Sequence, residues 1–300
     1  MKISEKPLVS FITINFNNTQ VTIDLLNSLK HLRYENFEII VVDNASKVNP
    51  EKELKATYPE IVFIRSDQNL GFAGGNNLGI SASKGELLYF VNNDTELPSD
   101  ALQGLIDTFK EYPEVGVVSP KFHYFFHPGT IEYAGYESVN VFTGRNKMVG
   151  CREKDQGQYD QPSETNYAHG GGMMISREVI DKVGPMPEEY FLYYEEFDWC
   201  EKIKRHGFKI YYQPNSLIYH KESMTTGKHS VLKTYYLSRN RILFMRRNTS
   251  RWQLTLFLAY LVCLTIPKNV LSFLIKREMD HLKAFVKGIS WNLTNKPAIT

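Results

Sequence analysis

Cysteine is scarce in this sequence. The three cysteines, Cys151, Cys200 and Cys263, show no metal-ligand spacing and are odd in number. Structural zinc sites need closely spaced Cys or His ligands, and small disulfide-stapled domains usually carry an even set of cysteines. The composition therefore disfavours both classes and predicts free, buried thiols in a reducing compartment.

Two common nucleotide-binding signatures are also absent. The glycine-rich stretch at residues 69–80 has neither the lysine of a P-loop nor the GxGxxG spacing of a dinucleotide-binding turn. Its glycines still allow the backbone to approach a ligand closely, and we expect a helix to follow the cluster at residues 71–75. The sequence thus excludes the P-loop and dinucleotide-binding classes while leaving a phosphate or base contact open.

Long apolar runs are few. Residues 8–14 lead into asparagines rather than a small-residue cleavage site, so we expect a buried strand there instead of a signal peptide. Near the C-terminus, residues 254–266 are apolar-rich, but a bilayer span takes about 20 residues and Pro267 is expected to end the helix. With flanking aromatic and basic residues, this segment is predicted to lie at a membrane interface. A core or dimer helix, or a span extended through residues 270–275, remains an alternative.

Charge is unevenly distributed along the chain. Residues 239–300 carry eleven Lys or Arg and two acids, so the rest of the chain has a net charge of −7 under an overall +2. A basic tail on an acidic body predicts contact with an anionic partner, such as lipid head groups or a diphosphate. Nucleic acid is disfavoured because the aromatic residues of the tail are interleaved with aliphatic runs.

Strand-like and helix-like segments alternate through the first third of the chain. This pattern predicts βαβ units around a parallel sheet, whose ligands bind beyond the carboxyl ends of the strands. Asn15, Asp43 and residues 92–94 follow three such strands. Further along, we expect helices at residues 177–183 and 194–206, two short strands at 209–212 and 216–220, and helices from Val231 onward.

Polar residues at these strand ends have specific chemical uses. Asp43 can accept hydrogen bonds from a base or ribose, although a turn or helix-capping role is the alternative. Asn92, Asn93 and Asp94 offer oxygen ligands that suit a hard divalent cation, unless they only form an Asx turn. His220 ends a later strand and could complete a metal site with Asp94, or be purely structural.

An acidic segment at residues 190–200 places Glu195, Glu196 and Asp198 among aromatic residues. Neighbouring helical residues point about 100° apart, so Glu195 and Glu196 are not expected to face one pocket together. One of them is a candidate general base in partly apolar surroundings. The alternative is an acidic helix start favoured by the helix dipole.

The order of these motifs resembles glycosyltransferase family 2 with the GT-A fold, particularly its bacterial rhamnosyltransferase-like branch. The segments that carry the resemblance, over about residues 7–248, are TINFNN, VVDNAS, NLGFAGGNN, FVNND, HGGGMMISR, YFLYYEEFDWC and IYH. The resemblance implies an α/β catalytic domain at residues 1–248 with a Rossmann-like mixed central sheet flanked by helices. Residues 249–300 would form a basic, amphipathic, membrane-associating helical extension.

The same resemblance assigns roles to residues of this sequence. Asp94 would meet the metal, Mg²⁺ or Mn²⁺, with His220 as a further ligand, and Asn92 stands where relatives have the first Asp of the DXD motif. Glu196 would be the catalytic base of a single in-line, inverting displacement, and Glu195 is the alternative candidate for that base. The residues expected to bind the nucleotide-sugar are Thr13, Asn15, Asn17, Asp43, Asn77, Asn93, Gly171 and Arg239, and Arg241 is an alternative to Arg239 at the departing diphosphate.

The implied function is transfer of a sugar, L-rhamnose from dTDP-rhamnose or a sugar from a UDP-sugar, to a saccharide or lipid-linked saccharide acceptor. It would serve bacterial surface polysaccharide or cell-wall glycan synthesis in the cytoplasm, at the inner face of the cell membrane, and homo-oligomer formation stays open. A nucleotidyltransferase is disfavoured because FNNTQ, not a basic glycine-rich loop, follows the first strand. A non-catalytic sugar-binding protein of the same fold would be expected to have lost Glu196 or Asp94.

Overall fold

Ten strands form one mixed sheet in the computed structural model, which describes residues 3–221 and 230–295. The strands are β1 (Val9–Asn15), β2 (Phe37–Asp43), β3 (Val62–Arg65), β4 (Leu87–Val91), β5 (Thr95–Glu96), β6 (Val115–Tyr124), β7 (Ile131–Tyr133), β8 (Ser163–Glu164), β9 (Gly172–Ser176) and β10 (Lys209–His220). The main order is β3-β2-β1-β4-β9-β6-β10-β5, with β7 on β6 and β8 on β10. β1 to β4 are parallel to one another, whereas β9 runs antiparallel between β4 and β6.

Helices cover both faces of this sheet. They are α1 (Thr19–Leu29), α2 (Glu51–Thr57), α3 (Gly71–Ala82), α4 (Gln103–Glu111), α5 (Arg177–Val183), α6 (Glu195–Arg205), α7 (Val231–Asn248), α8 (Arg251–Tyr260), α9 (Ile266–Ile275) and α10 (Met279–Thr294). Side chains alternate between faces along each strand. Phe11 therefore packs with Leu25 of α1 in one core, while its neighbour Ile12 packs with Ile80 of α3 in the other. The predicted mixed sheet with flanking helices is confirmed.

The glycine cluster lies inside α3 rather than before it. Helix α3 begins at Gly71, so the expectation that a helix follows residues 71–75 was wrong. A Cβ atom on Gly79 would lie 2.3 Å from Ile12 Cγ2, and one on Gly75 would lie 2.8 Å from Ile14 Cδ1. The glycines therefore allow α3 to lie directly against β1, which outweighs their low helix propensity.

The two short strands expected at residues 209–212 and 216–220 are one strand, β10. Its pairing with β6 shifts register between Gln213 and Leu217. Pro214 lies in this bulge, where the missing N–H interrupts no ladder hydrogen bond. The bulge explains why the sequence pattern resembled two elements.

The C-terminal apolar segment is longer than the sequence predicted. Residues Arg251–Ile275 form one continuous 25-residue helix, and its most apolar 18-residue stretch has a mean hydropathy of 1.8 with 6% of that stretch buried. The helix does not end at Pro267, because Pro267 lies in the first turn of α9 and a π-helical turn, Leu261–Thr265, precedes it. By length and composition this helix could cross a membrane, so the estimate that it is too short was wrong.

The final helix returns to the body of the protein. α10 packs against α7 closely enough that a Cβ atom on Gly288 would lie 2.6 Å from the carbonyl oxygen of Tyr235. Asn292 Nδ2 also donates to the carbonyl oxygen of Arg239 at 3.0 Å. The division of the chain after residue 248 stays a prediction.

Candidate active site

A cleft of about 960 Å³ lies at the carboxyl edge of the parallel strands. Residues that follow β1, β2 and β4 form one side, and the start of α6 with parts of α7, α9 and α10 forms the other. This is the edge at which open α/β sheets bind ligands. The fold thus places the strand-end motifs and the acidic segment around one cavity.

The loop that leads into α6 is strained. Phe191, Tyr193 and Tyr194 have φ values of 64°, 70° and 76°, a region that bulky side chains rarely occupy. Such conformations cost free energy and persist only where surrounding contacts hold them. The glycine at position 71 makes room for this loop, because a Cβ atom there would lie 2.2 Å from the Phe191 carbonyl oxygen.

Two neighbouring residues of α7 hold this loop. Asn240 is fully buried, and its Nδ2 donates to the carbonyl oxygens of Tyr190, Leu192 and Tyr193 at 2.9, 2.8 and 2.8 Å. Arg239 Nη2 donates to the carbonyl oxygen of Tyr190 at 2.7 Å and to that of Glu189. The guanidinium of Arg239 also lies over the rings of Tyr236 and Trp291, 4.8 and 4.7 Å from their centroids.

Replacement of Asn240 with Ala is expected to lower the free energy of unfolding by about 2–3 kcal/mol, because buried carbonyl oxygens lose their donor. Chemical denaturation would measure this loss. The exposed Asn215→Ala variant serves as the matched control. An Asn240→Ala variant as stable as the wild type would contradict the role of Asn240 in holding the loop.

Both acidic residues at the start of α6 line the cleft. The expectation that Glu195 and Glu196 could not face one pocket was wrong, because the cleft surrounds the first turn of the helix. Glu195 is buried and its Oε2 has no hydrogen-bond partner in the described part of the chain. Glu196 is only partly buried and lies beside Gly170.

The two carboxyl groups differ in their readiness to accept a proton. Burial raises the pKa of Glu196 to about 7, although backbone hydrogen bonds partly oppose the shift. Burial, and then repulsion by Glu196, raises the pKa of Glu195 well above its usual value. Both pKa values are thus displaced upward, and Glu196, which changes charge near neutrality, is suited to exchange a proton.

The pH dependence of turnover should reflect this shift. If the Glu196 carboxylate removes the acceptor proton, kcat/KM should rise with pH as Glu196 deprotonates and level off above about pH 7. The same raised pKa stabilises the folded protein fully only below the ordinary pKa of glutamate, and this contribution is lost as pH rises through about 7. Initial rates and unfolding midpoints between about pH 5 and about pH 9 would check both signs. A rate limb with an apparent pKa near that of an ordinary glutamate would contradict the assignment.

Asp94 and His220 meet at the cleft. Asp94 Oδ1 lies 3.2 Å from His220 Nε2, and His220 Nδ1 lies 2.8 Å from Glu132 Oε2. Burial opposes protonation of His220, but hydrogen bonds with Asp94 and Glu132 outweigh it and raise the pKa to about 10. Burial and the neighbouring His220 lower the pKa of His169, beside the same cluster, to about 3. No sequence motif pointed to Glu132, which lies on the short strand β7.

These groups fit a divalent cation. An imidazole whose Nδ1 is held by a carboxylate presents Nε2 to a metal, and a carboxylate oxygen stands beside it. No group of three or more His, Cys, Asp or Glu side chains in residues 3–221 and 230–295 could hold a metal by itself. Substrate phosphates would have to supply further ligands, as is usual for Mg²⁺ sites.

Several residues expected at the nucleotide lie behind the cleft wall. Asp43 is fully buried, and its carboxylate accepts from Asn15 Nδ2 at 2.9 Å and pairs with Arg65 Nη1 at 3.2 Å. Thr13 is likewise buried, with its Oγ1 unpartnered among the described residues. Asn17 Oδ1 accepts from the backbone N–H of the residue after Ser46. These predicted residues support the strand ends from behind.

Other asparagines form the cleft surface itself. Asn44, Asn69 and Asn76 line it, and Asn76 Nδ2 is buried without a hydrogen-bond partner in the described residues. Asn77 instead bonds the backbone of Met186 in both directions, at 2.9 and 3.0 Å, and lies outside the lining. The sequence alone could not show which of Asn76 and Asn77 faces the cleft, because that depends on how α3 is rotated about its axis.

The remaining predicted residues divide in the same way. Asn93 and Gly171 line the cleft, and Asn93 Nδ2 donates to Thr22 Oγ1 at 3.0 Å. Arg239 is hydrogen-bonded to the strained loop before α6 and does not line the cleft, whereas Arg241 does. Of the two arginines considered from sequence, Arg241 is therefore the one that could contact a substrate.

Sequence comparison places this arrangement among known proteins. The family model described as glycosyl transferase family 2 matches residues 10–184. The chain is 26% identical over 209 residues to the low-salt glycan biosynthesis hexosyltransferase of Haloferax volcanii, covering 67% of this chain and 63% of that protein. It is 27% identical over 244 residues to the dTDP-rhamnosyl transferase of Shigella flexneri, covering 74% and 76%. The chain thus spans less than two thirds of the Haloferax relative.

Solved structures share the fold. A mannosyltransferase of Pyrobaculum calidifontis in complex with GDP-Man and Mn²⁺ aligns with a TM-score of 0.59 at 15% identity, over 98% of this chain and 89% of that one. GalNAc-T7 with UDP, GalNAc and Mn²⁺ aligns with a TM-score of 0.66 at 15% identity, over 96% and 58%. The family match covers more than half of the chain. The chain belongs to glycosyl transferase family 2.

Proposed function

We propose that this protein is a metal-dependent, inverting glycosyltransferase that moves one sugar from a nucleoside-diphosphate donor to an acceptor hydroxyl. The observation that carries the proposal is that one cleft presents both Glu196, with a pKa of about 7, and the Asp94–His220 pair. The first can take a proton from a hydroxyl group, and the second can hold a cation beside a diphosphate.

The residues of this chain would divide the work as follows. Asn44, Asn69 and Asn76 would bind the base and ribose at the ends of β1 and β2 and the start of α3. Asp43 would act from behind by orienting Asn15 and Ser46, whose side chains donate to it at 2.9 and 2.5 Å. Glu196 would remove the proton of the acceptor hydroxyl as that oxygen attacks the anomeric carbon from the face opposite the leaving group, which inverts its configuration.

Asp94 and His220 would hold the cation, Mg²⁺ or Mn²⁺, with Glu132 orienting the imidazole. When bound, such a cation stabilises negative charge on a departing diphosphate. Donors of the type named in the relatives, first dTDP-rhamnose and then a UDP-sugar, are the candidates. The acceptor would be a saccharide or lipid-linked saccharide of bacterial surface or cell-wall glycan synthesis.

Membrane association is part of the same proposal. The helix Arg251–Ile275 exposes apolar side chains along most of its length and carries basic residues at both ends. A helix of this composition would lie at or in the inner face of the cell membrane. The enzyme would then meet a lipid-linked acceptor where such acceptors reside, while the donor arrives from the cytoplasm.

Thermal unfolding of the purified protein with dTDP-, UDP- and GDP-sugars, with and without Mn²⁺, tests the function. A ligand at about 100 times its Kd stabilises the folded state by about 2.7 kcal/mol, so binding is readily seen as an increase in Tm. We expect a Mn²⁺-dependent increase with one nucleotide class and release of the nucleoside diphosphate when acceptor is present. No stabilisation by any nucleotide, combined with binding of free saccharides, would favour the non-catalytic sugar-binding protein.

A further inference from the structure

Two arginines face the cleft away from the metal site. Arg241 is 6% exposed, lines the cleft, and its Nε has no hydrogen-bond partner in the described residues. Arg145 lines the same cleft from a loop between β7 and β8, and no carboxylate within residues 3–221 and 230–295 pairs with either guanidinium. Arg145 is exposed, but the buried guanidinium of Arg241 is costly unless it is paired, so its position indicates an anionic ligand.

Other features of the same corner agree with an anion site. The side-chain amide of Asn146, next to Arg145, is also a buried donor without a partner in the described chain. Burial lowers the pKa of Arg241, and the positive charge of Arg145 acts in the same direction, so the two cations lie close enough to repel each other. A phosphate group between them would accept hydrogen bonds from both guanidinium groups and from the Asn146 side-chain amide.

The position of the pair separates it from the donor side. Arg241 lies against Gly144 and Phe257, since a Cβ atom on Gly144 would be 2.9 Å from Arg241 Cγ and 2.9 Å from a ring carbon of Phe257. The groups that act on Arg241 are Tyr194, Arg145 and Tyr260, and none belongs to β1–β4 or to the metal pair. The arginines therefore adjoin the base-bearing loop on one side and α8 on the other.

Helix α8 gives the site an apolar neighbour. Phe257 of α8 is buried and, like Arg241, lies next to Gly144, while Trp252 on the same helix and Val262 just beyond it are 69% and 60% exposed. A ligand whose phosphate is held by Arg241 would have its remaining substituent beside this exposed apolar helix. The chemistry that fits these contacts is a phosphate or diphosphate attached to a hydrocarbon chain. Apolar lining elsewhere in the cleft comes from Leu237, Phe273 and Phe285.

We propose that Arg145 and Arg241 bind the phosphate or diphosphate of a lipid-linked acceptor and so direct its sugar hydroxyl toward Glu196. This rests on the proposed function, whose acceptor class it names. The donor's own diphosphate, at Asp94 and His220, is a separate anion. Arg241 is thus a substrate-binding residue for the acceptor rather than an aid to the leaving group.

Binding of farnesyl diphosphate, inorganic pyrophosphate and farnesol to the full chain in EDTA tests the assignment without turnover. We expect the wild-type protein to bind farnesyl diphosphate at least roughly tenfold more tightly than it binds inorganic pyrophosphate or farnesol. Arg241→Gln should weaken that binding roughly 10- to 100-fold, because charged hydrogen bonds are lost, and Arg145→Gln should weaken it less. The exposed Arg33→Gln variant, which lines no part of the cleft, should match the wild type.

Nucleoside diphosphate binding in Mn²⁺ is the second measurement on the same proteins. Retention of that binding by Arg241→Gln shows that its cleft is folded and that the arginine does not serve the donor. Equal weakening of farnesyl diphosphate and nucleoside diphosphate binding would reassign the two arginines to the donor. Equal wild-type affinity for pyrophosphate and farnesyl diphosphate would show that the hydrocarbon chain is not recognised and would contradict a lipid-linked ligand. If Arg241→Gln is unfolded, Arg145→Gln on its loop decides. A wild-type protein that binds farnesyl diphosphate but no nucleotide would overturn the proposed function and leave the anion site standing.

Discussion

Turnover of the Glu196→Gln variant is expected to fall by roughly 100- to 10,000-fold, the usual contribution of a general base. Glutamine keeps the length and shape of the side chain at the cleft surface but cannot accept the acceptor proton. The donor Kd should change by less than about twofold, because no proposed donor contact is removed. Release of the nucleoside diphosphate, measured beside donor titration, checks both statements.

Two matched variants make this result specific. Glu195→Gln should cost far less, since burial raises the pKa of Glu195 well above its usual value and the amide resembles a protonated acid. Glu178→Gln, on the outer face of α5, should behave as the wild type because it loses only a surface pair with Lys182. A larger loss in Glu195→Gln than in Glu196→Gln would exchange the two roles, and loss of donor binding in Glu196→Gln would refute its role as the base.

The Asp94→Asn variant should lose the Mn²⁺-dependent part of donor stabilisation, with turnover reduced at least roughly 100-fold. The asparagine side chain would offer a neutral oxygen in place of a carboxylate, which is a weaker ligand for a hard cation. Thermal unfolding with donor, with and without Mn²⁺, measures the first effect directly.

Glu132 and Asp107 supply the comparison for this second result. Glu132→Gln should weaken metal affinity about 10- to 100-fold without abolishing it, as expected for a group that orients a ligand. Asp107→Asn on the exposed face of α4 should have no effect on the metal response. An Asp94→Asn protein that keeps its full Mn²⁺ response would place the cation elsewhere or remove it from the mechanism.

Local patterns were sufficient for most of the fold. The apolar strands ending at Asn15 and Asp43 were predicted because a buried parallel strand is a short continuous apolar run. Helix α5 was predicted at residues 177–183, where it begins at the cap Ser176 and ends before Gly184 with φ 88°. The glycine-rich start of α3 was missed because its close packing on Ile12 belongs to tertiary structure, which overrides helix propensity.

The site was predictable only where one segment carries its own chemistry. Asp94, Glu195 and Glu196, which line the cleft, could be named as candidates from sequence because each follows a strand or begins a helix in a recognisable motif. Glu132 and Asn240 were missed, since their hydrogen-bond partners are 88 and 47 residues away in the chain and no local pattern announces them. Long-range hydrogen bonds of this kind are set by the topology of the sheet and not by neighbours in sequence.

The contacts of Arg239 with Tyr236 and Trp291 connect the last helix to the strained loop that leads into α6. The guanidinium that holds the Tyr190 carbonyl oxygen is itself held by a ring of α10, and Asn292 of α10 bonds the Arg239 backbone. A fragment cut after residue 275 would keep every proposed catalytic residue, yet it would lack the Trp291 ring that lies 4.7 Å from the Arg239 guanidinium. Expression fragments and fusion proteins made from this chain should therefore include α10, even when the apolar helix before it is redesigned for solubility.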